Sequence, residues 1–160
     1  MAEGWQIRGA RIADAAGIAR LSGLLGYPAE PAAIRLRLQQ LAVSADHWVA
    51  VAAPPGATSG AHAPLGGWMH VARHMTLESG EFAEILGLVV DPAARRGGVG
   101  RALAAAAEQW ARTQRLARLT VRSNAARSEA HAFYPALGFA HGKSQHVYSK
   151  ALGSDAGAVA

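Results

Sequence analysis

The sequence predicts a mixed α/β fold, one sheet with helices on its faces, and three features carry that reading. Short apolar or alternating runs recur between stretches of helical period. The most hydrophobic run, EFAEILGLVV, stops at Asp91 and Pro92. The chain then passes a turn rich in Gly and Arg and enters an Ala-rich amphipathic helix. The elements follow the order β-α-α-β-β-β-α-β-α-β-β, without an internal repeat. Residues 1–150 are therefore expected to form a single domain, and residues 151–160 a frayed tail.

Each element has its own signal. Trp5 to Ala10 alternates like a short strand, and Asp14 is placed to cap the helix AAGIARLSGLL. After Pro28, PAEPAAIRLRLQQLA puts Ile34, Leu38 and Leu41 on one helical face. His47 to Ala53 is strand-like, and Pro54 to Pro64 has the small residues of an exposed loop. LGGWMHVARHM and EFAEILGLVV read as paired strands. From Gly98 to about Thr113, Leu103, Ala106, Ala107 and Trp110 form an apolar helical face. Leu116 to Arg122 reads as a strand, Arg127 to Leu137 as a helix ending at Gly138, and FAHGKSQHVYSKAL as a closing hairpin.

Composition narrows the chemistry. The chain has 160 residues, 51% of them hydrophobic and 17% charged, enough for a core without covalent staples. No apolar run reaches the ~18 residues of a membrane span, so a soluble, cytoplasmic protein without a membrane partner is expected. The absence of cysteine excludes thiolate nucleophiles, disulfides and Cys-type zinc sites. The net charge of +5 is scattered among Arg8, Arg11, Arg20, Arg35, Arg37, Arg73 and Arg112, which argues against a nucleic-acid partner. His70 and His74 stand four apart in a strand-like run without an HExxH motif, so no metal is expected.

Arg95, Arg96 and Arg101 are the local exception, because they flank Gly97, Gly98 and Gly100 where the helix begins. A helix N-terminus presents unpaired N–H groups and the positive end of a dipole. Glycines allow close backbone approach and guanidinium groups add fixed charge, a combination suited to a diphosphate. A tight turn with solvated arginines is the alternative. A P-loop fails for want of a Lys-Ser or Lys-Thr after the glycines. A dinucleotide fingerprint fits poorly, since Leu103 stands where the third small residue belongs and the next strand ends in VRSN.

The pattern Val90-x-Pro92-x-x-Arg95-x-x-Gly98-x-Gly100 resembles the signature of the GNAT superfamily of N-acetyltransferases. SNAARSEAHAFYPALGF, Ser123 to Phe139, looks like the second signature of that family. The resemblance covers about Trp5 to Lys150 and is most specific from Glu81 to Phe139. It implies the GNAT acyl-CoA N-acyltransferase fold: a mixed, mostly antiparallel sheet with splayed parallel strands at its centre. It also implies acetyl-CoA as cosubstrate, without a metal, and a small-molecule or peptide amine as acceptor. Homodimerisation is common in the family. By position, Leu88 and Val90 would offer backbone groups to pantetheine, and Arg95, Arg96, Gly97, Gly98, Val99, Gly100 and Arg101 would wrap the diphosphate. Asn124 would bind cofactor or substrate or merely close a turn. Many members have Gly where this chain has Arg96.

The catalytic expectations follow from the same resemblance. An alkylammonium of pKa about 10.4 must lose a proton before it can attack. Glu84 lies eleven positions before Arg95, the spacing of the general-base glutamate in histone-acetylating members. An acid inside AEILGLVV is costly unless it is paired or lines a polar cleft, so Glu84 is expected either as the base or as an ion-pair partner of Arg122. Glu81 falls on the opposite strand face. Tyr134 holds the position of the general acid that protonates the leaving thiolate, with Pro135 beside it as a departure. Trp68 and His70 are either packing residues or part of the acceptor pocket. A catalytically silent acyl-CoA sensor is the non-enzymatic alternative.

Overall fold

The computed structural model describes residues 4–24, 26–56, 64–123 and 128–153. They belong to two compact units, Met1–Arg122 and Ser123–Ala160. The first unit contains β1 (Gln6–Gly9), α1 (Ala15–Leu24), α2 (Pro31–Ala42), β2 (His47–Ala53), β3 (Gly67–Thr76), β4 (Gly80–Val90), α3 (Val99–Thr113) and β5 (Leu119–Val121). The five strands form one mixed sheet in the order β1-β2-β3-β4-β5, antiparallel except for the β4–β5 pair.

Alternation along the strands sorts side chains onto two faces. Val51, Ala53 and Val89 meet Ile18, Leu21 and Leu38 of α1 and α2, with Val49 and Trp68 packed against that cluster. On the other face Gly67 lies against Val99 and Leu103 of α3. Leu103, Ala104, Ala107 and Ala111 recur at helical period and are all buried, as the apolar face of α3 requires. Truncating a fully buried leucine such as Leu103 would cost about 3 kcal/mol.

Two irregularities shape the edge that matters for function. His70 pairs with Gly87 while Val71 pairs with Ile85, so Leu86 is the extra residue of a β-bulge in β4. A bulge bends its strand and increases the local twist. The parallel ladder ends at the same place: Ala83, Glu84 and Ile85 pair with Leu119, Thr120 and Val121. Leu86 to Val90 continue without a β5 partner among the described residues.

Asp14 does not cap α1 as the sequence suggested. It closes a short 3-10 turn, Ile12–Asp14, where both its oxygens bind Arg8 at 2.8 and 3.0 Å and the Arg11 N–H donates at 2.7 Å. A bidentate guanidinium outcompetes the first-turn N–H groups of α1.

The second unit contains α4 (Ser128–Ala136). The helix stops in a Schellman arrangement: Gly138 is left-handed at φ 91°, its N–H reaches the Pro135 carbonyl at 3.0 Å, and the Phe139 N–H reaches the Tyr134 carbonyl at 3.1 Å. The expected closing hairpin is not formed, because residues 139–153 carry no strand. Their alternation is diluted by Gly142, Lys143, Ser144 and Gln145, and the segment through Lys150 is largely exposed, so little apolar surface favours pairing. Among the described residues no helix is long and apolar enough to cross a membrane.

Candidate active site

The strand β4 connects two pieces of chemistry, the turn at its end and the acid within it. The turn begins with Asp91, whose carboxylate accepts from the Ala93 N–H at 2.9 Å and from Arg20 of α1 at 3.0 Å. The Ala93 amide, followed by Arg20, holds the Asp91 carboxyl below its ordinary pKa of 3.8. Pro92–Ala94 form one 3-10 turn, and the chain then enters α3 through Gly98, which is left-handed at φ 77°. The first intrahelical bond runs from the Ala102 N–H to the Gly98 carbonyl. The amides of Val99, Gly100 and Arg101 precede it and have no carbonyl of the same helix to bind.

Arg95, Arg96 and Arg101 are exposed around this turn. Two details were not foreseen. The Gly97 N–H is already used by the Ala94 carbonyl at 3.3 Å. Arg96 itself is left-handed at φ 69°, so the backbone keeps the shape that a glycine would adopt most easily. Leu88 and Val90 lie half-buried on the part of β4 that β5 does not cover.

The acid is Glu84, 6% exposed in the middle of β4. Both its oxygens are engaged: Arg122 Nε donates to Oε1 at 2.8 Å, and His74 Nε2 stands 2.9 Å from Oε2. The expected arginine partner is therefore present, and a histidine joins it. The His74 ring leans on Phe82 at 5.5 Å between centroids, and the Arg118 guanidinium lies 4.7 Å above the same Phe82 ring. Glu81 faces the other way, binding Arg73 at 3.1 Å, which in turn reaches Gln114 at the end of α3.

Register places further polar groups on the Glu84 face. His70 sits opposite Val49, and its Nε2 is 2.9 Å from His47 Nδ1 of β2. Burial, and then the neighbouring His47, push the His70 pKa from 6.5 down to about 4. Trp68 spreads its indole over Gly87, where even a methyl group would come within 2.7 Å of the ring. Its buried Nε1–H has no hydrogen-bond partner among the described residues. His70 and His74 thus serve different partners, and no group of three or more metal-ligating side chains occurs among the described residues.

Tyr134 is described within the second unit alone. It is half-buried, its ring edge-on to Phe133 at 5.0 Å and to Phe139 at 5.7 Å. The Schellman cap brings Phe139 onto Tyr134, which gives a structural reason for the run Tyr-Pro-Ala-Leu-Gly-Phe. Pro135 removes the N–H that would have bonded to the His131 carbonyl. Asn124 lies outside the described residues.

His74 is the residue that sequence reasoning missed. Its signal was there: the tight connection Thr76 to Gly80 fixes the β3–β4 register, pairs Ala72 with Glu84, and leaves His74 diagonal to the acid.

Solved structures share this architecture. A GNAT family acetyltransferase from Staphylococcus aureus subsp. aureus USA300_TCH1516 superposes with a TM-score of 0.72 at 18% identity, covering 92% of this chain and 99% of that one. The aminoglycoside 6'-N-acetyltransferase AAC(6')-Ih from Acinetobacter baumannii gives 0.77 at 19% identity, covering 94% and 100%. The aminoglycoside N-acetyltransferase AAC(6')-Iy, solved in complex with CoA, gives 0.78 at 17% identity, covering 91% and 94%. No curated protein matches the chain in sequence. The model of the acetyltransferase (GNAT) family matches residues 57–139, more than half of the chain and the span that holds β3, Glu84, the glycine turn, α3 and Tyr134. The chain belongs to the GNAT acetyltransferase family.

Proposed function

We propose that the protein is an N-acetyltransferase that moves the acetyl group of acetyl-CoA to a primary amine by direct attack in a ternary complex. Residues 1–150 work as one domain, in the cytoplasm. One observation supports this most strongly: a single strand carries a buried, ion-paired carboxylate and then opens into a cationic turn at a helix N-terminus. The amides of Val99, Gly100 and Arg101, with the Arg95, Arg96 and Arg101 side chains, fit a diphosphate in charge and donor number. The uncovered edge of β4 at Leu88 and Val90 suits the amides of pantetheine.

Acetyl-CoA supplies an activated thioester. The chain must supply an uncharged amine, an anchored acyl group and a proton for the departing thiolate. Glu84 supplies the site's base function: its carboxylate makes the site basic enough to draw a proton from the acceptor ammonium, which leaves a neutral, nucleophilic amine. Tyr134 is the general acid, a phenol suited to protonating a thiolate whose conjugate acid has a pKa near 8.5. With no cysteine in the chain, direct transfer is favoured over a cysteine-linked acetyl-enzyme.

The acceptor belongs on the Glu84 face, where the half-exposed His74 borders the buried acid. Aminoglycosides, the antibiotics named for the Acinetobacter baumannii enzyme, join simple amines, amino acids and peptides in the acceptor panel. Glu84→Gln and Tyr134→Phe are each expected to lower kcat by about 100-fold or more, with coenzyme A affinity within about threefold of the parent. Stopped-flow thiol detection and titration calorimetry read the two quantities, and unchanged rates in both variants would refute these roles.

A further inference from the structure

We infer that His74 is a catalytic residue, the group that takes the acceptor's proton, while Glu84 acts through it by fixing its tautomer. The inference rests on the transferase reading above and names the path that the proton follows. Glu84 accepts Arg122 on one oxygen and faces His74 with the other. An ionised carboxylate can only accept hydrogen bonds, so the 2.9 Å contact requires a hydrogen on His74 Nε2. A neutral imidazole with hydrogen on Nε2 carries its lone pair on Nδ1, the atom that is then basic.

Exposure assigns the order of the two groups. The Glu84 side chain is 8% exposed and has both oxygens occupied, whereas the His74 side chain is 37% exposed. A substrate ammonium meets the imidazole before it meets the carboxylate. The groups facing His74 are Glu84 of β4, Arg122 just beyond β5 through that carboxylate, and the Phe82 ring with Arg118 above it. On its own strand the nearest titratable group on the same face is His70, which is bonded to His47. Only Glu84 among these is an anion, and it touches the nitrogen opposite the basic one. A buried carboxylate behind an imidazole orients the ring and stabilises the imidazolium without itself taking the proton.

The step balances simply. The ammonium N–H bond breaks, its proton passes to Nδ1, and the freed lone pair forms the C–N bond as the C–S bond breaks. The thiolate takes a proton from the general acid. The second amine proton, lost as the amide forms, restores that acid through solvent. His74 returns its own proton to water before the next turnover.

His74→Gln tests the assignment, because a glutamine amide can still donate to Glu84 but cannot take a proton. The expected result is a fall in kcat of about 100-fold or more, with acceptor KM and coenzyme A affinity within about threefold. The variant should also lose the acid limb of its kcat–pH profile. If His74→Gln keeps the parent kcat and acid limb while Glu84→Gln loses both, Glu84 takes the proton directly and the inference falls alone. A parent protein inert toward every amine of the panel would overturn the transferase reading and this inference with it. Nitrogen-15 NMR of the imidazoles gives a readout that needs no turnover. His74 should show hydrogen on Nε2 in the parent and a mixed tautomer in Glu84→Gln, and hydrogen on Nδ1 in the parent would overturn the inference.

Discussion

An ionised carboxylate inside a sheet loses its hydration, and Glu84 recovers that loss through one guanidinium and one imidazole. The sequence made Glu84 conspicuous because it interrupts an apolar run, and it made Arg122 a candidate partner. His74 was not legible in the same way. The role proposed for it depends on a diagonal contact across a hairpin, which neither strand records when read by itself. His70 illustrates the opposite outcome, a polar side chain absorbed into the structure. Its folded pKa of about 4 lies below the ordinary 6.5, so the unfolded chain binds a proton first as pH falls. Stability contributed by neutral His70 is complete above about pH 6.5, declines as pH drops, and is gone below about pH 4. Asp14 is also held below its ordinary 3.8: burial alone would raise it, but the Arg8 hydrogen bonds and the Arg11 amide together outweigh that. It therefore acts at lower pH. Thermal melts between pH 6.5 and 4 should show a Tm decline that His70→Gln flattens. An identical slope in the variant would contradict this account of the buried imidazole.

At the scale of elements, the turn into α3 was the most legible part of the chain, because Pro92, the glycines and the Ala-rich period each constrain the backbone locally. Its inner conformation was less so. Arg96 stands in a left-handed conformation at φ 69°, which costs a residue with a Cβ about 1 kcal/mol. Arg96→Gly should relieve that strain, offset in part by the greater freedom of glycine in the unfolded chain, for a net gain of about 0.5 kcal/mol or a degree or two in Tm, while weakening coenzyme A binding through the lost guanidinium. A lower Tm in that variant would show that the arginine side chain contributes more than its backbone strain costs. Where partners lie far along the chain, local signals misled. Asp14 had the sequence position of a cap and became an ion-pair partner of Arg8. The segment after Phe139 had some alternation of a strand and forms none, since a strand exists only through a neighbour.

For the molecule as a whole, the mixed sheet, the order of the helices and the strand that bears the acid were all legible, because hydrophobic period decides them. The acceptor was not. Residues that select an acceptor converge from elements far apart in sequence, and no local motif records such a convergence. Even so, the proposal has a definite chemical content: it assigns proton removal and amine binding to the face that carries Glu84 and His74, and nucleotide anchoring to the turn at the end of the same strand. The most direct test is amine-dependent release of free thiol from acetyl-CoA by the folded, full-length protein across the acceptor panel. The account predicts saturable release with at least one primary amine, with double-reciprocal lines that intersect as a ternary complex requires. Tight binding of acetyl-CoA without release toward any amine would contradict it and mark the protein as an acyl-CoA sensor.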